Sequence, residues 1–176
     1  MSLDLERRES APSLPTSLIE TAEASLRETY ASICGEAPRR GGDGDLPVNQ
    51  SAVSGMISFV GDVDWAMVLC LPRTMAVALS ERFMGHAIDF ESSDMNDLSG
   101  ELANIVAGDV KARLGELGID VDLSLPTVVK GHGVEVFFSD EVQTVALRFR
   151  APEGDFSMTL ATPAALSLSA QSMEGD

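Results

Sequence analysis

Apolar residues recur at three- and four-residue spacings in three segments of the chain, which is the pattern of an amphipathic helix. The segments are residues 17–34, residues 74–84 and residues 94 to about 117. A glycine directly follows each of the first two segments, and helices commonly end at a glycine. The sequence therefore predicts three helices, of which the third is the longest.

Alternation of apolar and polar residues predicts two β-hairpins. Residues 53–59 alternate, and a break at Gly61 separates them from residues 65–71, which are apolar enough for burial on both faces. Residues 143–149 and 156–161 alternate on either side of a short turn. Each pair fits two antiparallel strands, because a short connection joins neighbouring strands only in that arrangement.

Three further segments have weaker patterns. Residues 121–129 are β-like but are interrupted by Pro126, and residues 134–138 resemble another short strand. Residues 36–50 are rich in glycine and proline, which predicts a flexible loop with little strand. The grouping of helices and hairpins favours an α+β fold class, in which an antiparallel β-sheet is covered by helices on one side.

Size and charge limit the possible classes of function. The chain has 176 residues, of which 44% are apolar, enough for one domain, which we place at residues 14–164. Residues 1–13 are expected to be a flexible N-terminus and residues 165–176 a flexible acidic tail. With 12 basic and 28 acidic residues, the formal net charge of −16 disfavours binding to nucleic acids or to anionic membranes.

Neither an export signal nor a metal site is evident in the sequence. The longest apolar run, residues 65–72, is far shorter than the roughly 20 residues of a membrane-spanning helix, so we expect a cytoplasmic protein without a membrane anchor. Cys34 and Cys70 predict buried free thiols rather than a disulfide framework. His86 and His132 have no second ligand at metal-binding spacing.

The long predicted helix has a polar side and an apolar side. The polar side, named the polar stripe below, consists of Asp97, Glu101, Asn104, Gly108 and Lys111. The apolar side, which would seat the helix on the sheet, consists of Met95, Leu98, Leu102, Ile105, Val106, Val110, Leu114 and Leu117. Asp109 also lies on the apolar side and needs a partner there, such as an arginine. By itself, a polar stripe is typical of any surface helix.

The spacing within the polar stripe is similar to a known signature. The stripe and the proline that follows it read Asp97-x3-Glu101-x2-Asn104…Pro126. This resembles the acid/Ser-x3-Glu-x2-Asn…Pro signature of the CheC, FliY and CheX phosphatases, and residues 100–108 also resemble that family. CheC-like and FliY-like members carry two copies of the motif, whereas the first predicted helix here has no Glu-x2-Asn. The single copy favours the CheX branch and implies a CheX/CheC-like fold.

The resemblance implies an enzyme of chemotaxis signalling, a phosphatase that hydrolyses the aspartyl phosphate of a phosphorylated, CheY-like response regulator. Asn104 would orient the attacking water, because a carboxamide can both accept and donate hydrogen bonds. Glu101 would pair with the conserved lysine beside the phosphorylation site of the regulator. The remaining partner-binding residues would be Asp97, Gly108, Lys111 and Pro126.

The resemblance also has implications for cofactors and partners. The protein would need no cofactor or metal of its own, since the response regulator would supply Mg²⁺. It would form a homodimer, for which the strands within residues 143–161 are suitable. Two alternatives stay open: a non-enzymatic adaptor that binds a receiver domain or a flagellar switch component, and a structural domain of a larger signalling complex. The presence of both Glu101 and Asn104 favours the enzyme.

Overall fold

A computed structural model gives the fold of most of the chain. It describes residues 15–44, 46–47, 49–139 and 141–163. The two ends that we expect to be flexible, residues 1–13 and 165–176, lie outside the described residues, as do the expected domain boundaries at residues 14 and 164.

The three predicted helices are confirmed to within one residue at each end. They are α1 (Thr16–Cys34), α2 (Arg73–Met84) and α3 (Ser93–Glu116). Gly35 and Gly85 end α1 and α2 with φ values of 90° and 78°, a left-handed conformation that glycine adopts without steric cost. None of the helices in the described part of the chain is long and apolar enough to cross a membrane.

The strands form a single antiparallel sheet. In the described residues they are β1 (Arg39–Asp43), β2 (Ser51–Gly61), β3 (Trp65–Pro72), β4 (Val121–Leu123), β5 (Thr127–His132), β6 (Val142–Ala151) and β7 (Gly154–Pro163). The order across the sheet is β1-β6-β7-β3-β2-β4, and β5 also pairs with β2. Both predicted hairpins, β2–β3 and β6–β7, are confirmed. So is the α+β fold class, with an antiparallel sheet and three helices.

β4 and β5 together make one edge of the sheet. β4 pairs with residues 59–61 of β2, and β5 pairs with residues 51–56 of the same strand. The two short strands therefore lie end to end, and residues 124–126 interrupt the ladder between them. The interruption falls at Pro126, where the sequence predicts it, since proline cannot donate a ladder hydrogen bond.

The helices cover one face of the sheet, and α3 lies directly on β2. Val53, Ile57 and Phe59 of β2 are fully buried on this face. Gly55 lies between them, and a Cβ built on it would be only 2.8 Å from the Cβ of Ala103 on α3. The absence of a side chain at Gly55 therefore lets the helix approach the sheet closely.

Asp109 has the arginine partner that its position on α3 requires. Arg113, one turn further along α3, donates from Nε to Oδ2 of Asp109 at 2.7 Å. Arg113 also forms an ion pair with Glu28 of α1. The two carboxylates raise the pKa of Arg113, with the hydrogen bond to Asp109 as the larger cause. This cluster links α1 to α3.

A second polar cluster links α1 and α2 to the turn between β6 and β7. The hydroxyl of Tyr30 donates to Glu153, whose side chain is only 9% exposed. Arg82 of α2 approaches the same carboxylate at 3.3 Å. The hydrogen bond from Tyr30 holds the pKa of Glu153 below its usual range, although burial opposes this effect. The sequence pattern gave no indication of this cluster.

Two predictions of local structure are wrong. Residues 36–50 were expected to be a flexible loop with little strand, but β1 lies within them and pairs with β6. A glycine-rich segment has little intrinsic strand propensity, so the pairing with β6 is what makes it a strand. Residues 134–138 were expected to form a strand, but they pair with no strand of the described sheet and instead line a cavity of about 270 Å³ on the sheet face away from the helices.

Neither cysteine is in a disulfide in the described structure, and both are half-buried, whereas the sequence predicted that they are buried. Burial raises the pKa of Cys34, which lies beside Tyr30 at the end of α1. Cys70 lies on β3 and lines the cavity on the outer face of the sheet.

The segment suggested for dimer contacts lies largely inside the sheet. β7 pairs with β6 on one side and, over residues 157–161, with β3 on the other. β1 covers β6 only from Ala146 onward. Within the described sheet, β6 therefore has an open edge at residues 142–145, three of which belong to this segment.

Candidate functional site

The polar stripe lies on the exposed side of α3. Asp97, Glu101 and Asn104 are exposed, whereas Gly108 and Lys111 are half-buried. The opposite side of the helix is buried in the core through Met95, Leu98, Leu102, Val106, Val110 and Leu114. These buried side chains fix the orientation of α3, so its polar side always faces away from the sheet.

Glu101 and Asn104 form the centre of the stripe. They are three residues apart on α3, so their Cβ atoms are neighbours at about 5–6 Å. Within the described residues, neither side chain has a hydrogen bond or an ion pair. A carboxylate and a carboxamide therefore stand side by side with all their bonding capacity available to a partner.

Asp97 and Gly108 extend the stripe in the two directions along the helix. Asp97 lies one turn before Glu101, in the second turn of α3. At Gly108, an added Cβ would meet nothing within 4 Å. Packing within the described structure thus gives no reason for a glycine at this position.

Lys111 differs from the rest of the stripe because it already has a partner. Its Nζ lies 3.0 Å from Oδ1 of Asp122 on β4. The lysine side chain is 40% exposed and the aspartate side chain 92% exposed. An exposed pair of this kind contributes about 0–1 kcal/mol, so Lys111 can exchange Asp122 for another carboxylate at little cost.

The fold brings Pro126 to the polar stripe. A Cβ built on Gly100 would be 3.4 Å from Cγ of Pro126 and 3.4 Å from Cγ2 of Val128. Gly100 lies one turn from Asp97 and from Asn104 on α3, so the proline packs against the helix at the edge of the polar stripe. The sequence motif therefore describes one continuous surface, although Pro126 belongs to the edge of the sheet and the acidic residues belong to the helix.

The turn that carries Pro126 is fixed to β2 by Ser124. The backbone N–H of Ser124 donates to the carbonyl of Ser58 at 2.9 Å. The backbone N–H of Ser58 donates in return to Oγ of Ser124, also at 2.9 Å. Between Ser124 and Pro126, the side chain of Leu125 is 88% exposed. The sequence analysis did not identify Leu125 as a separate feature of the site.

Lys130 of β5 anchors the segment that leads into α3, and the sequence analysis missed it. Its Nζ donates to the carbonyl of Phe90 at 2.9 Å and to the carbonyl of Ser92 at 2.8 Å. The ammonium also lies 5.7 Å from the centre of the Phe90 ring. A lone lysine in a strand gives no signal of such a role in the sequence.

The described residues include no group of three or more His, Cys, Asp or Glu side chains that could hold a metal ion. His132 ends β5, where its Nδ1 lies 3.3 Å from Oγ of Ser51, and His86 lies exposed after α2. The chemistry available at the stripe is therefore hydrogen bonding and charge, supplied by Glu101 and Asn104.

The sequence profile of a known family matches this part of the chain. The family is described as chemotaxis phosphatase CheX, and the match covers residues 53–150, more than half of the chain. The chain belongs to the CheX family. The matched residues extend from β2 into β6, so the CheX family profile includes all of α3, the polar stripe and Pro126.

One curated protein is similar to this chain in sequence, and two solved structures are similar to it in fold. The CheY-P phosphatase CheX of Thermotoga maritima is 26% identical over 124 residues, which are 68% of this chain and 79% of the relative. A CheC-like superfamily protein from Shewanella sp. PV-4 superposes with a TM-score of 0.74 at 21% identity, covering 84% of this chain and 98% of the other. A chain from the CheX–CheY–BeF3–Mg²⁺ complex of Borrelia burgdorferi superposes with a TM-score of 0.66 at 17% identity, covering 82% and 96%.

Proposed function

We propose that this protein is a phosphatase that hydrolyses the aspartyl phosphate of a phosphorylated, CheY-like response regulator. The observation that carries the proposal is the pair Glu101 and Asn104, exposed and without partners in the described structure, on a helix that the core holds in place. Membership of the CheX family supports it, as does the name of the Thermotoga relative, a CheY-P phosphatase.

Asn104 orients the attacking water. In hydrolysis the water oxygen forms a bond to phosphorus while the bond from phosphorus to the aspartyl oxygen breaks, which releases the carboxylate and inorganic phosphate. The carboxamide accepts a hydrogen bond from the water and donates one to an oxygen nearby, so it holds the water in line. An amide does not take up a proton at neutral pH, so Asn104 contributes by positioning rather than by base catalysis.

Glu101 docks the protein on the regulator. Its carboxylate pairs with the lysine beside the phosphorylated aspartate, as the family signature implies. Asp97, Gly108, Lys111 and Pro126 surround this contact and complete the partner-binding surface. The strongly acidic chain favours encounter with a locally basic surface and disfavours other anionic partners.

The metal in this proposal belongs to the regulator. Mg²⁺ neutralises charge on the phosphoryl oxygens, and this chain adds only the water-orienting amide and the docking carboxylate. The Borrelia crystal structure, in which CheX, CheY, BeF3 and Mg²⁺ occur together, supports this division.

The proposal also places the protein in the cytoplasm, where response regulators act, and as a homodimer. Residues 142–145 of β6 offer an open sheet edge in the described structure. Antiparallel pairing of this edge with its copy in a second chain would give a two-fold symmetric contact. Sedimentation of the purified protein tests the oligomeric state, and a monomer at all concentrations would exclude the dimer.

The rate of phosphate loss from a receiver domain tests the function. CheY-like receiver domains from the host are phosphorylated with acetyl phosphate in Mg²⁺ buffer and mixed with wild type, Asn104→Ala or Glu101→Ala. We expect Asn104→Ala to bind the receiver but to lose the acceleration, and Glu101→Ala to lose binding. Asn49→Ala and Glu116→Ala remove the same groups at exposed positions outside the stripe and should behave as wild type.

Each of three outcomes selects one function: phosphatase, adaptor or structural domain. Acceleration by the wild type that depends on Asn104 establishes the phosphatase. Binding of a phosphorylated receiver without any acceleration would replace the phosphatase with the adaptor. Absence of both binding and acceleration with every receiver of the host would leave the structural domain.

A further inference from the structure

Leu125 is the most exposed of the large apolar side chains in the described residues, at 88%. A single exposed leucine on a flexible loop is common and needs no explanation. Leu125 is different because the backbone on both sides of it is held in place. Ser124 exchanges two hydrogen bonds of 2.9 Å with Ser58 of β2, and its hydroxyl also donates to the carbonyl of Leu125 at 2.9 Å.

The residue after Leu125 is fixed as well. Pro126 packs against Gly100 of α3, with the closest approach to a built Cβ at 3.4 Å, and its ring restricts its own backbone. The turn is therefore tied to the sheet on one side and to the helix on the other. A leucine held in this way loses little conformational entropy when a partner covers it, which favours its use as a contact.

The position of Leu125 adds a second argument. Pro126 contacts α3 at Gly100, one turn from Asp97 and from Asn104, so Leu125 next to it lies at the edge of the polar stripe. The combined surface presents a carboxylate, a carboxamide and one protruding apolar side chain. Its complement is a partner surface with a cation and a shallow apolar depression next to each other.

We propose that Leu125 is an apolar docking contact that inserts into a depression on the receiver domain beside the lysine bound by Glu101. The inference rests on the proposed function, because it takes the phosphorylated receiver as the partner. Leu125 contributes affinity and register, whereas Asn104 contributes the chemical step. Apolar anchors next to a charged contact often supply a large share of the binding energy in protein interfaces.

Phe137 provides a matched control. Its side chain is 83% exposed, nearly as much as that of Leu125. It lies in the segment that lines the cavity on the sheet face away from the helices, so it is remote from the polar stripe. General loss of exposed apolar surface would affect Leu125→Ser and Phe137→Ser equally, whereas a specific contact would affect only the first.

The experiment measures binding and turnover separately. The receiver is phosphorylated with acetyl phosphate in Mg²⁺ buffer. Its affinity is measured for two proteins, the slow variant Asn104→Ala and the double variant Asn104→Ala/Leu125→Ser. We expect Leu125→Ser to raise Kd roughly 10- to 100-fold, as loss of a buried leucine predicts. In the otherwise wild-type protein, the same change should raise KM while kcat stays within twofold. Leu125→Met should restore most of the affinity.

The measurements distinguish failure of this inference from failure of the proposed function. If the wild type binds and dephosphorylates the receiver but Leu125→Ser leaves Kd and KM unchanged, Leu125 is no docking contact. Equal losses in Leu125→Ser and Phe137→Ser would also overturn the inference. If the wild type neither binds nor dephosphorylates any receiver, the proposed function and the inference fall together. Because Leu125 is exposed, the serine variant should keep the melting temperature of the wild type.

Discussion

Gly55 of β2 and Ala103 of α3 are in such close contact that a Cβ built on the glycine would lie 2.8 Å from the alanine Cβ. The same added carbon would lie 2.8 Å from the carbonyl oxygen of Ser99. Because one obstacle is backbone, a change of rotamer could not relieve the overlap. Gly55 therefore sets the height of α3 above the sheet, and with it the positions of Glu101 and Asn104.

Replacement of Gly55 by alanine should push α3 away from β2. We expect Gly55→Ala to lower the free energy of unfolding by about 1–3 kcal/mol, the usual cost of overpacking a core. Gly108→Ala is the matched control, because its added methyl group meets nothing within 4 Å and should stabilise the helix by up to about 1 kcal/mol. Urea denaturation followed by circular dichroism compares the two. Equal stability of Gly55→Ala and wild type would contradict the close contact.

Gly108→Ala also tests how closely the partner approaches the helix. Since the methyl group lies in open space in the free protein, it should interfere only when a receiver packs on the polar stripe. We expect Kd for the phosphorylated receiver to rise several-fold while the unfolding free energy increases. Calorimetric titration gives Kd, and an unchanged value would remove Gly108 from the partner-binding surface.

Lys130 should contribute more to stability than a typical surface lysine. Lys130→Met keeps the apolar stem but removes the charged hydrogen bonds to the carbonyls of Phe90 and Ser92. We expect the free energy of unfolding to fall by about 1.5–3 kcal/mol. Lys111→Met, which loses only the exposed pair with Asp122, should cost about 0–1 kcal/mol. Chemical denaturation of both variants measures the difference, and equal costs would show that Lys130 is no anchor.

Glu153 should make stability depend on pH in the acid range. Its pKa is lower in the folded protein than the ordinary value of 4.5, mainly because Tyr30 donates a hydrogen bond to it. A lowered pKa means that the carboxylate stabilises the fold above about pH 4.5 and that this contribution is lost as the pH falls through the folded-state pKa. The cluster of Glu153, Tyr30 and Arg82 should therefore loosen in acid.

Glu153→Gln checks this prediction, because glutamine keeps an acceptor for Tyr30 but removes the charge. We expect the variant to be less stable than wild type near neutral pH, by on the order of 1 kcal/mol, and the difference to shrink as the pH falls below the range where Glu153 is ionised. Glu116→Gln changes an exposed glutamate and should show no such trend. A difference that stays constant down to acid pH would contradict the role of the charge.

Periodicity was sufficient to predict most of the fold. The helices were predicted to within one residue because their apolar spacing ends at glycines, as at Gly35 and Gly85. The two hairpins were predicted because alternation and a short turn together determine an antiparallel pair. These signals are local, so they need no knowledge of what packs against them.

The strands that were predicted wrongly depend on distant partners. β1 contains Gly41 and Gly42 and is a strand only because β6 pairs with it. Residues 134–138 alternate like a strand but pair with none of the described strands, and they line the cavity on the outer face of the sheet instead. Leu117, counted among the apolar contacts of α3, is 63% exposed because the helix ends just before it. For both segments of the sheet, tertiary pairing or its absence overrides the local pattern.

The candidate site also combines features that depend on local sequence with features that depend on distant contacts. Glu101 and Asn104 were singled out because the polar stripe resembles the signature of a phosphatase family, and that resemblance can be recognised within one helix. The contact between Pro126 and Gly100, the hydrogen bonds of Ser124 and the anchor at Lys130 could not be predicted, since they join elements that are far apart in the sequence. Leu125 has no distinguishing feature except its place on that turn.

The pairing of Ser58 with Ser124 has a consequence for synthesis of the protein. These residues are 66 positions apart, and both β2 and α3 are synthesised before Ser124. A nascent chain that ends before Ser124 contains Glu101 and Asn104 but lacks the turn that carries Ser124 and Pro126. The surface proposed to bind a response regulator is complete only once the edge strand has joined the sheet, so unfinished chains would not sequester regulators while they are still being translated.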